Sequence, residues 1–454
     1  MARNDQKSND NLLIIATDCG AVEWLSYIIE EFSRINKAEF EIVIEKPNRL
    51  PVGTNNIIYY TKKFQTSPGI PNCAFSQPKC YISWLSKSIF VIENTVVQDW
   101  PEKTDYDIFW NAFVFLSRLE EFIIESAGTP IRSYLSRHKR LDKTTFQTPI
   151  VNNLFDTLEE LIKRHFPSLT FGDRETPVIE YSHDVDYIRK TFLGIARQSA
   201  LYTAQCLRNI HQPKFVRDRI GKCFSGILLK NNYWCFDDWI SLEKSFNVRS
   251  IFYIYANIEK KGFCSCFFDP EYNVFKNKRL LMKLYELLNN GFEIGLHGSI
   301  GSSMQSPKME SEKRALENAL HVPITKVRQH WLNYFEHITP YLHEEFFSCD
   351  STLGWNDQIG FRSGCASRYR PWNHQAKRPF AHMVTPLIAS DSTLFHYNQK
   401  SPDRLTCDIM DHLKQLKIYK TAQVSISWHQ RGICRDLGWA EPYKEILRFI
   451  QNNC

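Results

Sequence analysis

The stretch TPVIEYSHDVDYIRK, residues 176–190, runs an apolar lead-in into His183, Asp184 and Asp186 within four positions. Acids are among the side chains least often buried, because stripping water from a charge costs several kcal/mol unless a partner ion or proton compensates. A buried strand that ends in two acids therefore needs a partner for them. In an extended segment Asp184 and Asp186, two apart, point the same way, so an ion shared between or beside them fits the spacing. The same Asp-x-Asp can instead cap a following helix.

Outward from this strand, short apolar runs alternate with helical stretches. The runs are VRSIFYIYA (248–256), FEIGLHGS (292–299), KVRQHWL (326–332), DQIGFRSG (357–364) and AQVSISWHQ (422–430). Between them lie RLLMKLYELLNNG, with its glycine stop, and SPKMESEKRALENAL, and PYKEILRFIQNN closes the chain. Strands alternating with helices predict repeated β-α units and a parallel sheet or barrel. The stretch 192–245 is longer than a usual crossover and partly basic, and reads as an elaborated helical insertion.

The first 175 residues read as mixed α/β without a catalytic cluster. EFEIVIEK alternates like a strand, and YDIFWNAFVFLSRLEEFIIES and VNNLFDTLEELIKRHF repeat apolar residues at helical spacing. Arg118 with Glu120 or Glu121 reads as a helix salt link. The expected division is an accessory domain over 1–175 and a second domain over 176–454.

The chain has 454 residues, 43% hydrophobic and 23% charged, which excludes the disordered and fibrous classes. Its charge of +6 is not gathered into a long basic block, and tracts such as KRLDK are short, so no nucleic-acid partner is expected. No apolar run approaches the 18 or more residues that a membrane-spanning helix requires. The polar start MARNDQKSND offers no export signal, and the expectation is a cytoplasmic protein. Thirteen cysteines form no paired framework, and CSC at 264–266 alone is a weak zinc signal, so thiols in a reducing compartment are expected.

Each strand ends in residues a core would not choose: Asp184 and Asp186, then His297, then Arg328 and His330, then Arg362, then His429. In parallel β/α architectures the C-terminal strand ends converge on one mouth, where active sites are built. Carboxylates and imidazoles gathered there suit hydrolysis at a metal: some hold a divalent ion, one takes the proton of an attacking water, and one protonates the leaving group. Taken singly, each has a plain structural reading. Arg328 and Arg362 can be salt-bridge partners, and Asp391 in PLIASDSTLF can serve a turn.

In this order, SHDVDY, GFEIGLHGS, VRQHWLNY, GFRSGCASRYRPW and SISWHQ resemble the motifs of the polysaccharide deacetylase (NodB homology) superfamily, carbohydrate esterase family four. The resemblance covers about residues 176–450, and the part holding FLSRLEEF and PIVNNLF is similar to an uncharacterised domain that precedes the deacetylase domain in some bacterial branches. It implies a distorted (β/α)7 barrel that removes acetyl groups from sugars with a divalent metal, zinc being the expected ion. By the resemblance Asp184 is the base and Asp186 a metal ligand, with the reverse open, and His297 is a second ligand. The family's next histidine would fall near Gly301 and Ser302, and is missing. Three ligands plus water is the usual catalytic zinc arrangement. His330 is the candidate replacement, or else a supporting residue without metal contact. Arg362 matches the arginine that orients the catalytic carboxylate, and Pro371 with Trp372 the end that lines the sugar pocket. His429 matches the general acid, with Ser427 where the family has leucine and Trp428 adding bulk. Arg328, Trp372 and Trp428 are expected to bind substrate.

The expectation is thus a metal-dependent deacetylase of N-acetylated sugar units in a glycan or glycan precursor. Its rivals are a hydrolase of non-sugar C–N amides on the same scaffold, and a glycan-binding or assembly protein whose metal site has decayed.

Overall fold

The computed structural model describes residues 11–17, 20–51, 56–61, 72–74, 97–98, 107–128, 145–208, 210–211, 213–228, 233–260, 268–397, 401–434, 437 and 439–453. The tract KRLDK (139–143) and the pair Cys264 and Cys266 lie outside them. Cys206, Cys223, Cys365, Cys407 and Cys434 are free thiols.

Packing divides the chain into two compact units, each built from three stretches. One comprises Met1–Ile179, Leu332–Ile388 and His412–Val424; the other comprises Glu180–Trp331, Ala389–Asp411 and Ser425–Cys454. This partition differs from the sequence division at 175/176, because 332–388 and 412–424 pack with the N-terminal part.

The first unit carries a five-stranded sheet in the order β2-β1-β3-β4-β5: β1 (Leu12–Thr17), β2 (Glu41–Glu45), β3 (Ile57–Thr61), β4 (Asn72–Ala74) and β5 (Val97–Gln98). The β1–β2, β1–β3 and β3–β4 pairs are parallel and β4–β5 is antiparallel. The stretch read as one helix around FLSRLEEF is two, Ile108–Leu116 and Leu119–Ser126, because Arg118 takes a left-handed conformation at φ 53°. That break turns the Arg118 guanidinium inward, where it pairs with Glu121 and Glu336.

Residues 332–388 are woven into the same core. Phe361 N–H donates to Phe146 O at 2.6 Å, Val151 N–H to Gly364 O at 2.8 Å, and Tyr27 Oη–H to Arg370 O at 2.6 Å. The expected strand DQIGFRSG is a loop here. Gly360 (φ 142°) and Gly364 (φ 61°) hold conformations that strand residues do not, and a Cβ on Gly360 would lie 2.2 Å from Phe146 O. In this stretch β10 (Cys349–Asp350) pairs in parallel with β13 (Met383–Val384), and β11 (Trp372–Asn373) antiparallel with β12 (Arg378–Pro379).

The second unit is the parallel β/α part. Its strands β6 (Val178–Val185, entering at Glu180), β7 (Ile251–Ile254), β8 (Glu293–Gly298), β9 (Lys326–Gln329), β14 (Leu387–Ser390, entering at Ala389) and β15 (Gln423–Ser427, entering at Ser425) run in the order β9-β8-β7-β6-β15-β14. The β6–β7, β7–β8 and β8–β9 pairs are parallel, with register Asp184↔Tyr253↔Gly295 and His297↔Arg328. The mixed α/β class of β/α units expected from the alternation of runs is the fold, with its strands in the order of the distorted barrel that the motif resemblance implies. A crossover helix shows why: Lys278–Asn289 is capped by Asn277, which accepts from Leu280 N–H, buries Leu280, Leu284 and Leu287 at helical spacing, and stops before Gly291 at φ 80°. The 192–245 insertion contains the helices Phe192–Arg208 and Pro213–Leu228, which pack together, followed by Phe236–Ser245. No described helix is long and apolar enough to cross a membrane.

Candidate active site

Alternation along β6 sorts the residues of SHDVD. His183 and Val185 face one side, and both are fully buried. His183 bonds Trp428 O through Nδ1 (2.8 Å) and Glu243 Oε1 through Nε2 (2.9 Å), so its place is structural. Asp184 and Asp186 face the other side, where side chains from β8, β9 and the end of β15 meet them.

Asp186 is the hub. Its Oδ1 lies 3.3 Å from His297 Nε2 and 3.4 Å from His330 Nε2, and its Oδ2 lies 3.2 Å from His429 Nε2. Asp186, His297 and His330 are all buried, and their ligand atoms lie within 4.8 Å of one another. His297 Nδ1–H donates to Arg328 O at 3.0 Å, and a carbonyl only accepts, so in the neutral ring Nε2 carries the lone pair. His330 Nδ1 faces Asp269 Oδ1 at 3.3 Å, which leaves its Nε2 for the same point. Asp186 Oδ1 and His297 Nε2 are buried without a hydrogen-bond partner. Two lone pairs facing each other at that distance call for a proton or a cation, and the donor set of one carboxylate oxygen and two imidazole nitrogens fits zinc. Burial works against the charged form of His330, but Asp186, with Asp269 behind the ring, prevails and lifts its pKa to about 9. The anions that draw a proton to this spot draw a metal ion equally. Burial opposes ionisation of Asp186 as well, yet His330 and His429 hold its carboxyl well below the usual range.

Asp184 has a different partner. Arg328, fully buried on β9, donates through Nη1 to Asp184 Oδ1 (2.9 Å), Ser182 Oγ (2.8 Å) and Ser427 Oγ (2.9 Å), and through Nη2 to Ser425 Oγ (3.1 Å). Its guanidinium lies 4.4 Å from the centroid of the Tyr253 ring. That ring occupies the space beside Gly295, where a Cβ would come within 2.6 Å of it. Burial raises the Asp184 carboxyl, but Arg328 foremost, with His297 and His429, brings it below the ordinary value and keeps it ionised. Ser427, which stands where the family motif has leucine, is thus an acceptor for this arginine.

His429 follows β15, and Asp391 follows β14. Asp391 Oδ1 takes His429 Nδ1–H at 2.6 Å while Oδ2 accepts His429 N–H at 2.7 Å, which fixes both the ring and its backbone. Burial lowers the imidazole pKa, but Asp391 and Asp186 raise it well above the ordinary value, so the ring holds a proton at neutral pH.

Other expected site residues stand elsewhere. Arg362 donates to Glu121 Oε2 (3.1 Å) and Gly354 O (3.2 Å) within the first unit, and the guanidinium on Asp184 is that of Arg328. Arg328 itself, 0% exposed with its donors engaged, has no surface to offer a substrate. Trp372 packs against Tyr27 and Phe113 in the first unit's core, and Trp428 is buried with Nε1–H on Trp439 O. Beside His330, Phe268, 46% exposed, meets the half-buried Trp331 ring edge-on at 6.0 Å, giving an aromatic surface that Trp372 and Trp428 do not. Sequence reasoning missed Asp269, which no strand end announces in FFDPEY, and took Asp391 for a turn acid, although it directly follows the buried run LIAS.

No family model and no curated protein matches the chain. Solved structures that it resembles include Puue allantoinase (12% identity, 61% of this chain and 84% of that chain, TM-score 0.37). Others are the catalytic domain of a peptidoglycan N-acetylglucosamine deacetylase from Eubacterium rectale (8%, 63% and 90%, 0.31) and BA3943 from Bacillus anthracis, a pseudoenzyme of carbohydrate esterase family four (8%, 62% and 63%, 0.30). Likeness at this level assigns no activity to the chain.

Proposed function

We propose that this protein is a metal-dependent hydrolase that removes the acetyl group from N-acetylated sugar units. One observation carries the reading: the buried Asp186 Oδ1, His297 Nε2 and His330 Nε2 meet with their lone pairs converging, each imidazole steadied through its other nitrogen. A divalent ion held there, zinc by its donor set, would supply Lewis-acid polarisation of the acyl carbonyl.

This chain's residues do the rest. Asp184, kept ionised by Arg328, accepts the proton of the attacking water, and its oxygen is fixed by the arginine's hydrogen bond. His429, kept protonated and oriented by Asp391, donates its Nε2 proton to the departing amine nitrogen. Asp391, bonded to both the ring and the backbone of His429, holds the imidazolium in place. The aromatic pair Phe268 and Trp331 suits the apolar face of a sugar ring. The acetylated sugar as substrate comes from the motif resemblance, and a cytoplasmic glycan precursor is the substrate pool we propose.

Metal analysis of the purified protein tests the core of this reading. We expect about one equivalent of tightly held divalent ion, falling below about a tenth in Asp186→Asn and in His330→Ala. Amine release from N-acetylated oligosaccharides should track that content. A wild-type protein without tightly held metal would favour the decayed binding protein. Turnover of linear or cyclic amides but of no acetylated sugar would favour the non-sugar amide hydrolase.

A further inference from the structure

Residues 189–230 hold nine Lys and Arg against the single acid Asp218, a local charge of +8 in a chain whose total is +6, so the remainder carries −2. The helices Phe192–Arg208 and Pro213–Leu228 lie within this segment, and the first contains no acid. Spacing of three and four residues along the first helix puts Phe192, Ala196, Ala200, Thr203 and Leu207 on one stripe, and all five are exposed. Phe192 is 88% exposed and Leu207 69%; Ile210 in the connecting turn is 74% exposed, and Phe224 on the second helix 61%. Ile220, one turn before Phe224, and Arg217, another turn back, are exposed beside it. Arg189 is exposed as well, whereas Arg219 is buried, with Nη2 on Phe395 O.

A helix pair ordinarily turns such a stripe toward a core, and an exposed apolar surface of this kind marks a docking site. The charge selects the occupant. A second copy of the same segment brings +8 against +8 and is repelled. Nucleic acid answers the charge, but its phosphates are contacted by polar and basic groups, which leaves Phe192, Leu207, Ile210 and Phe224 unused. An anionic bilayer surface uses both halves: the apolar side chains enter the boundary between headgroups and acyl chains, and the lysines and arginines meet the anionic headgroups. We infer that the helical pair 192–228 docks this protein on an anionic lipid surface, lying in the interface without spanning it. The inference is independent of the metal site, since none of these residues belongs to it, and it would place the catalytic unit where a lipid-linked glycan is presented.

Co-sedimentation of the full chain with vesicles of phosphatidylglycerol and phosphatidylcholine tests it, against vesicles of phosphatidylcholine alone. We expect at least about tenfold stronger retention on the anionic vesicles, lost at high salt. The combined variant Phe192→Ser, Leu207→Ser, Ile210→Ser and Phe224→Ser should lose that retention with an unchanged thermal midpoint and metal content, because all four side chains already face water. A charge-reversed variant, Arg217→Glu, should weaken retention in the same folded background. Equal retention on neutral and anionic vesicles, or none on either, would overturn the inference. So would retention untouched by the fourfold variant, binding to a DNA duplex in preference to vesicles, or a dimer in solution that the fourfold variant dissociates.

Discussion

Arg328→Met removes the cation that lets Asp184 be both buried and charged. Arg328 is 0% exposed and hydrogen-bonds Asp184, Ser182, Ser425 and Ser427. Removing one partner of a buried pair leaves an uncompensated charge, at a cost of about 3–5 kcal/mol. The unit concerned has about 200 residues, for which 1 kcal/mol moves the melting point by roughly 2–4 °C, so the fall should be about 6–20 °C at pH 7. The pH dependence should change sign. In the wild type the Asp184 carboxyl sits below its unfolded value, so its contribution is present above that value and lost as pH falls through the folded one. Without Arg328 the desolvation that raises this carboxyl meets less opposition, and acidification from pH 7 should then stabilise the variant. Adding Asp184→Asn to Arg328→Met should recover most of the loss, because the stranded charge is gone. Scanning calorimetry on the wild type, the two single variants and the double variant completes the cycle. If Arg328→Met costs no more than the roughly 0.5 kcal/mol of a surface change, or Asp184→Asn restores nothing in its background, the pairing argument fails.

Asp391→Asn should lower kcat by about 10²–10⁴ and move the alkaline limb of the pH–rate profile to lower pH, since His429 loses the anion foremost in holding its proton; an unchanged profile would contradict the role given to Asp391. Asp107 caps the helix Ile108–Leu116 by accepting Trp110 N–H at 2.9 Å, and burial raises its carboxyl to about 6 despite the bonds from Trp110 and Tyr60. A raised folded value means stability that is full below the unfolded value near 3.8 and lost as pH climbs through 6. Acidification from pH 7 to 4 should therefore stabilise the first unit by up to about 3 kcal/mol, and Asp107→Asn, which keeps a capping acceptor, should flatten this slope in pH-dependent urea titrations.

What could be read in the sequence was whatever a period or a strand end expresses. Period two along SHDVD separates the acids from His183, and runs such as FEIGLHGS place His297 where a β/α crossover delivers it. The β/α order of the second unit followed from the same alternation. Arg362 and Trp372 were misread because GFRSG looks like a strand end, whereas its two glycines fold it as a loop against Phe146. The Arg118–Glu121 link could be read from FLSRLEEF, but nothing there announces the left-handed residue or the second pairing with Glu336. Asp269 and the serines around Arg328 could not be found by pattern, since single polar residues acquire meaning only from a partner some 60 to 150 positions away. The exposed stripe of Phe192–Arg208 was legible only as a basic insertion, because sequence does not say which face lacks a neighbour.

The weave of the first unit carries a consequence for biogenesis. Its core draws on Leu13, Trp24 and Phe32 from the start of the chain and on Tyr334, Trp355, Tyr369, Trp372 and Val384 from far beyond the other unit's first strands. At synthesis rates of about 5–20 residues per second, the early residues wait roughly fifteen to seventy seconds for those later side chains to leave the ribosome. The nascent N-terminal segment therefore displays apolar surface that these later side chains cover only after most of the other unit has been made, although this unit is the first to be encoded.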